Sequence, residues 1–174
     1  MTYPEHFIKS ARFEFKRYKT LGDKTFAQLS DQDMLWQYQE SNSIAIIVKH
    51  IVGNMLSRWT NFLTEDGEKS WRNREMEFKD PYRKKEDLVA AWEEGWQCLF
   101  TALDSIDHNN FDTPIRIRTE EHSIVEAVHR QLAHYANHVG QIVFIGTMIK
   151  GEEWKSLSIP KGGSEEFNQR KMNS

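Results

Sequence analysis

From Ser123 to Gly151 the chain reads SIVEAVHRQLAHYANHVGQIVFIGTMIKG, one long helical pattern with a stop at each end. Ser123 and Glu126 have the spacing at which a side chain and a backbone amide cap each other reciprocally, and Gly151 is placed to end the helix after Lys150. At roughly 1.5 Å per residue such a helix extends about 40 Å. An element of that length belongs in a helical bundle, where partners cover its apolar face, rather than in a connector.

Three further segments supply those partners. Thr2 and Glu5 repeat the capping spacing, and Ile8, Ala11, Phe15, Tyr18, Phe26 and Leu29 recur near helical intervals. This predicts an amphipathic helix to about Leu29, with Gly22 as a loosening point. Ile44, Ile47, Ile51, Met55, Trp59 and Phe62 mark a second helix that runs through Gly53 and Asn54. Leu88, Trp92, Leu99 and Leu103 mark a third, ending near DHNN at 107–110. Ser30 and Asp33 cap a short connecting helix. The polar stretch 64–81, with Gly67 and Pro81, reads as a loop or lid. IRIR at 115–118 alternates as a strand does, shows no partner, and reads as a short strand or an extended loop. The expected fold class is all-α: a four-helix bundle with short extra helices in a single domain over 1–174. A polar C-terminal extension starts at about 152, where Ser164, Glu166 and Phe167 open a short final helix.

Composition permits this fold and excludes several functions. A chain of this size buries roughly 70% of its unfolded surface, and six Trp, ten Phe and five Tyr furnish the core. With 23 basic against 26 acidic residues the formal charge is -3, which argues against an electrostatic footprint for nucleic acid. RYK and PYRKK read instead as solvated helix faces. No apolar run approaches the length of a membrane span. The charged N-terminal segment lacks the apolar region of a secretion signal, and the lone Cys98 cannot form an internal disulfide, so the expected location is the cytoplasm.

His134 and His138 stand four residues apart, hence on adjacent turns of one helical face. Two imidazoles so placed can converge on a borderline metal ion, although such pairs also occur as surface or hydrogen-bonded core residues. At 3.6 residues per turn, Ala127, Gln131, Gln141 and Ile145 fall within roughly 60° of His134, and His138 lies about 40° away. That face begins small, ends apolar and carries a polar patch between, which a bundle interior tolerates when the polar groups are bonded to one another or to metal. On the second helix His50 is flanked by Ile46, Ile47, Gly53, Asn54 and Ser57. A third imidazole from there would complete a three-histidine site with one coordination position open, as in catalytic zinc centres.

KHIVGNMLSRW early in the chain and HYANHVGQI late in it resemble the DinB superfamily of four-helix metalloproteins, which carry one histidine on the second helix and an HxxxH pair on the fourth. The resemblance covers about residues 4–155 and implies His50, His134 and His138 as metal ligands. HVGQI strengthens it, and SLSIPKGGSEEFNQRK is similar to an uncharacterised bacterial branch. Some DinB relatives are transferases or isomerases that use bacillithiol or mycothiol, and many have no established activity. The superfamily name refers to induction by DNA damage and does not imply DNA binding. The resemblance also implies a homodimer, which helical periodicity does not specify.

The expected function is therefore that of a divalent-metal enzyme acting on a small molecule. Zinc or nickel is the expected ion, and bacillithiol or another low-molecular-weight thiol would be transferred to an electrophile. Water in the same position would give a metal-dependent hydrolase; a closed, four-coordinate ion would give a non-catalytic structural bundle. Asn54, Gln131 and Gln141 are candidates for orienting ligands or substrate, and each is equally suited to helix packing or to the surface. Arg58 is a candidate for an anionic substrate group, with a surface ion pair as the alternative. Trp59, Trp92 and Trp96 suit an aromatic pocket or the core. His6, His108, His122 and His129 fall outside the site, Cys98 reads as a small apolar residue, and no general acid or base is identified.

Overall fold

The computed structural model describes residues 1–79 and 81–172; position 80 of the polar stretch and positions 173–174 of the C-terminal extension lie outside the described residues. In chain order the elements are α1 (Tyr3–Phe26), α2 (Asp31–Leu35), α3 (Ile44–Trp59), α4 (Arg74–Lys79), α5 (Lys85–Asp104), β1 (Ile115–Ile117), β2 (Glu120–His122), α6 (Ile124–Lys150) and α7 (Ser164–Met172). A 3-10 turn, Gly151–Glu153, follows α6. Four long helices form the bundle. α3 packs most extensively on α5 and α1 on α6, while α1–α5 and α3–α6 contacts close the ring. The protein is thus an all-α bundle of DinB type with short extra helices and a minor two-stranded sheet. Among the described residues no helix is long and apolar enough to cross a membrane.

The caps explain where the helices begin. Thr2–Glu5, Ser30–Asp33 and Ser123–Glu126 all form reciprocal capping boxes. Gly151 ends α6 with a φ of 52°, a conformation that glycine adopts without steric cost. α1 stops at Phe26, short of Leu29, because the amides of Ala27, Gln28 and Leu29 turn back onto Asp23, Thr25 and Phe26. Leu29 nevertheless stays buried, which is why the apolar period outlasts the helix. Likewise α3 stops at Trp59, and Phe62 is buried from the turn that follows. Gly22 does not loosen α1. It lies against the ring of Trp92, whose Nε1 donates to Asp23 at 2.8 Å, so a β-carbon there would collide with the indole.

Phe15, Trp92, Trp96 and Tyr135 are fully buried and meet largely edge to face, with Trp92 and Trp96 centroids 5.3 Å apart. Trp92 and Trp96 are therefore core. Trp59 is also buried, and its Nε1 donates to the Tyr135 hydroxyl at 3.3 Å.

The IRIR alternation does find a partner. β1 pairs antiparallel with β2, burying Ile115 and Ile117, through a two-residue turn at Arg118 and Thr119 with φ of 56° and 67°. Such a turn suits the twist of a hairpin but strains residues other than glycine. The Asp66 carboxylate offsets that strain by accepting both turn amides, at 2.8 and 2.7 Å, and so clasps the hairpin to the start of the polar stretch.

Candidate metal centre

α3 and α6 bring the three histidines together. Nε2 of His134 lies 3.3 Å from Nε2 of His50 and 3.1 Å from Nε2 of His138. Among the described residues this is the one trio of histidine, cysteine or carboxylate side chains whose ligand atoms converge, all within 4.8 Å of one another. A tetrahedral ion with bonds of about 2.0–2.1 Å holds its nitrogen ligands about 3.3–3.4 Å apart, so the spacing fits.

The outer nitrogens set the tautomers. Nδ1–H of His50 donates to Glu77 Oε2 at 2.9 Å, and Nδ1–H of His138 donates to Gln141 Oε1 at 3.0 Å. Both rings then turn an unprotonated Nε2 towards His134. A proton on His134 Nε2 could satisfy only one of those lone pairs, whereas a cation among the rings satisfies all three. Burial, with lesser contributions from His138, His50, Arg72 and Arg58, pushes the His134 pKa down to about 4. Burial also lowers that of His138. The pair is thus held neutral near neutral pH, the state in which imidazole binds metal.

Glu77 and Arg72 were not legible as parts of this site. Within the 64–81 stretch, α4 packs on α3 and carries Glu77 beneath His50. Arg72 grips the same carboxylate through Nε at 2.8 Å and Nη2 at 3.1 Å, and its side chain is only 1% exposed. Burial by itself would raise the Glu77 pKa; hydrogen bonds from His50 and Arg72, with the Arg72 charge, hold it below the usual carboxylate value. Gly53 makes the approach feasible, because a β-carbon at that position would run into the Glu77 carboxylate. Phe78 lies over His50 with ring centroids 5.3 Å apart. The region expected to be a loop or lid is here a wall of the site, and its useful residues lie too far from His50 in sequence for any local period to reveal them.

The other candidates are dispersed. Gln141 reaches a histidine, as described. Asn54 is buried and accepts from the Tyr135 hydroxyl at 3.0 Å, which ties the site to the aromatic core. Gln131 is buried, and its Oε1 has no hydrogen-bond partner among the described residues. Arg58 is buried rather than on the surface, where it donates to the Gly67 carbonyl and pairs with Glu68 at 3.3 Å. His129 packs edge-on against Phe7, His122 lies 3.9 Å from Glu120, and neither belongs to the converging trio. Cys98 is half-buried 3.6 Å from the Thr60 hydroxyl, and burial raises its thiol pKa.

No curated protein and no solved structure matches the chain. One family model does, and it spans residues 2–163, from the first cap through all three histidines to the turn before α7. The chain belongs to the family described as "Protein of unknown function (DUF1572)".

Proposed function

We propose that this protein is a divalent-metal-dependent enzyme acting on a small molecule, with His50, His134 and His138 holding zinc or nickel. In this reading bacillithiol or another low-molecular-weight thiol is transferred to an electrophilic substrate in the cytoplasm, by a homodimer of the kind the DinB resemblance implies. The observation that carries the proposal is the donor set. Three imidazoles from two helices converge, with His134 Nε2 3.3 and 3.1 Å from the Nε2 atoms of His50 and His138, and they remain half-buried rather than sealed in the core.

An ion bound there would supply Lewis acidity, favouring thiolate over thiol or hydroxide over water. The chain's own residues prepare the ligands. Glu77 keeps the proton of His50 on Nδ1, and Gln141 does the same for His138, so that each Nε2 is free to coordinate. Arg72 balances the Glu77 charge, which would otherwise stand buried and alone. Phe78 packs against the ring of His50. In the transfer itself a carbon–sulfur bond forms at the electrophile, whose leaving group departs with its electron pair, while the thiol proton passes to solvent.

The test is turnover by metal-reconstituted protein with a panel of thiols and electrophiles, followed by mass, alongside metal analysis of the same samples. Thiol-dependent product from the wild type, and none from His134→Ala, is the expected result. Turnover without thiol would replace transfer by hydrolysis. Full metal occupancy without turnover across the panel would reduce the ion to a structural part.

A further inference from the structure

We infer that the electrophile used by this centre carries an uncharged apolar group, and that a pocket next to His138 receives it. This rests on the metal-enzyme reading above and names the substrate class for the same site. The pocket has a volume of about 330 Å³ and lies between the 36–42 segment, α3 and α6. Its apolar walls are Trp36, Tyr38, Ile47, Phe144, Ile145 and Met148, and none of its lining side chains is charged.

Two residues join this pocket to the histidines. Gln141 lines it and also accepts the Nδ1 proton of His138 through Oε1, which leaves its amide nitrogen able to donate to a ligand. Ile47 lines it from α3, one turn before His50. Phe144, Ile145 and Met148 continue the same face of α6 beyond Gln141, about two turns or roughly 10 Å along the axis. The pocket is thus the extension of the metal centre along the same two helices.

Its chemistry selects the occupant. Trp36, Tyr38, Phe144 and Met148 are 38%, 61%, 66% and 56% exposed, a concentration of large apolar side chains that monomeric surfaces seldom carry without a use. The 36–42 segment is folded in advance: the Tyr38 amide donates to the Ser41 hydroxyl at 3.1 Å, and the Ser41 amide donates back to the Tyr38 carbonyl at 3.0 Å. With this volume, at the small end for ligand sites, and with no charged side chain, the pocket suits one aromatic or branched aliphatic group. A carboxylate-bearing thiol would find no counter-ion there, so the pocket is assigned to the electrophile. A carbonyl, ether or nitro oxygen on that group could take the Gln141 amide.

The probe is 2-naphthol, uncharged at pH 7, compared with naphthalene-2-sulfonate by saturation-transfer NMR on the full chain. The expected result is saturable binding of 2-naphthol at least tenfold tighter than the sulfonate, weakened at least tenfold in Phe144→Ala and in Ile145→Trp, which fills the cavity. Phe13→Ala, equally exposed on α1, should bind as the wild type does. Metal content should be unchanged in all three variants, and 2-naphthol should shift the visible bands of cobalt-loaded protein. No saturable binding, equal binding of the sulfonate, or indifference to both pocket variants overturns the inference. So does sedimentation showing a dimer that Phe144→Ala dissolves, because the patch would then join two copies. Binding of 2-naphthol as expected by a chain that takes up no metal would uphold the pocket and overturn the metal reading alone.

Discussion

Two buried arginines pair with glutamates of the polar stretch between α3 and α5, and the pairs lead to different ends. Arg58 pairs with Glu68, which also receives Arg74 at 3.0 Å and Arg118 at 3.2 Å, while Arg58 donates to the Gly67 carbonyl and Asp66 holds the hairpin turn. The acceptors there, the Glu68 carboxylate and the Gly67 carbonyl, are met within the chain, and the result is a clasp that fastens the hairpin to α3. Arg72 pairs with Glu77 through the same two chemical groups, but the carboxylate continues to His50 and so to three facing ring nitrogens. In one cluster the acceptors are all met by nearby donors, whereas the other ends in facing lone pairs that a cation would complete. A buried arginine paired with a glutamate is common to both; what separates a fastening from a site is whether the lone pairs have already met their match.

That contrast can be broken in several ways. The largest effect is expected for His134→Ala and His138→Ala, each lowering metal affinity by at least about a hundredfold, beyond the range seen for outer partners of a ligand, while far-ultraviolet dichroism shows the bundle intact. Unchanged occupancy in both, measured under equal loading, would remove the distinction altogether. Arg58→Ala should instead cost only about 1–2 kcal/mol in denaturant unfolding, since Arg74 and Arg118 still pair with Glu68 and the Ser57 hydroxyl still donates to the Gly67 carbonyl, with metal affinity as in the wild type. A fall in affinity there would merge the two clusters.

Acid should also separate them. The metal-free protein has His134 at about 4 when folded, against an ordinary value of about 6.5. Between those limits the unfolded chain binds the extra proton, so stability is complete above about 6.5 and declines as pH falls towards 4. Allowing for solvent screening of a half-buried ring, the loss is about 2 kcal/mol. Thermal melts across that window should show the slope in the wild type and a shallower one in His134→Ala, where the lowered pKa of His138 remains. The smallest effect is expected for Glu77→Gln, about a tenfold drop in metal affinity by titration, because a neutral amide holds the His50 proton less firmly. A drop as deep as that of the histidine variants would make Glu77 a ligand.

Legibility in the sequence followed the range of each interaction. Helix starts were readable because a cap is decided within four residues, as at Ser123 and Glu126. The facing of His134 and His138 was readable for the same reason, through the turn of one helix. Glu77 was hidden because it lies 27 residues from His50 on a helix of only six residues, too short for a period to register. The partner of IRIR was hidden because EEH has no alternation, and because its turn places Arg118 and Thr119 where glycine or asparagine is the usual choice. Asp66, distant in sequence, makes that turn tolerable. Gly22 suggested slack inside a helix, yet it and Gly53 both mark places where another element presses close.

The hydrogen that stands in place of a side chain at Gly53 thus acts on the centre without touching it. A methyl group there would work as a shim between α3 and α4, lifting the carboxylate off the imidazole beneath which it sits. The ring of His50 would then be free to swivel and to move its proton to the wrong nitrogen, and the trio would become a pair with an undecided neighbour. How firmly this protein grips an ion is thereby governed, in part, by how thin one helix is at a single position.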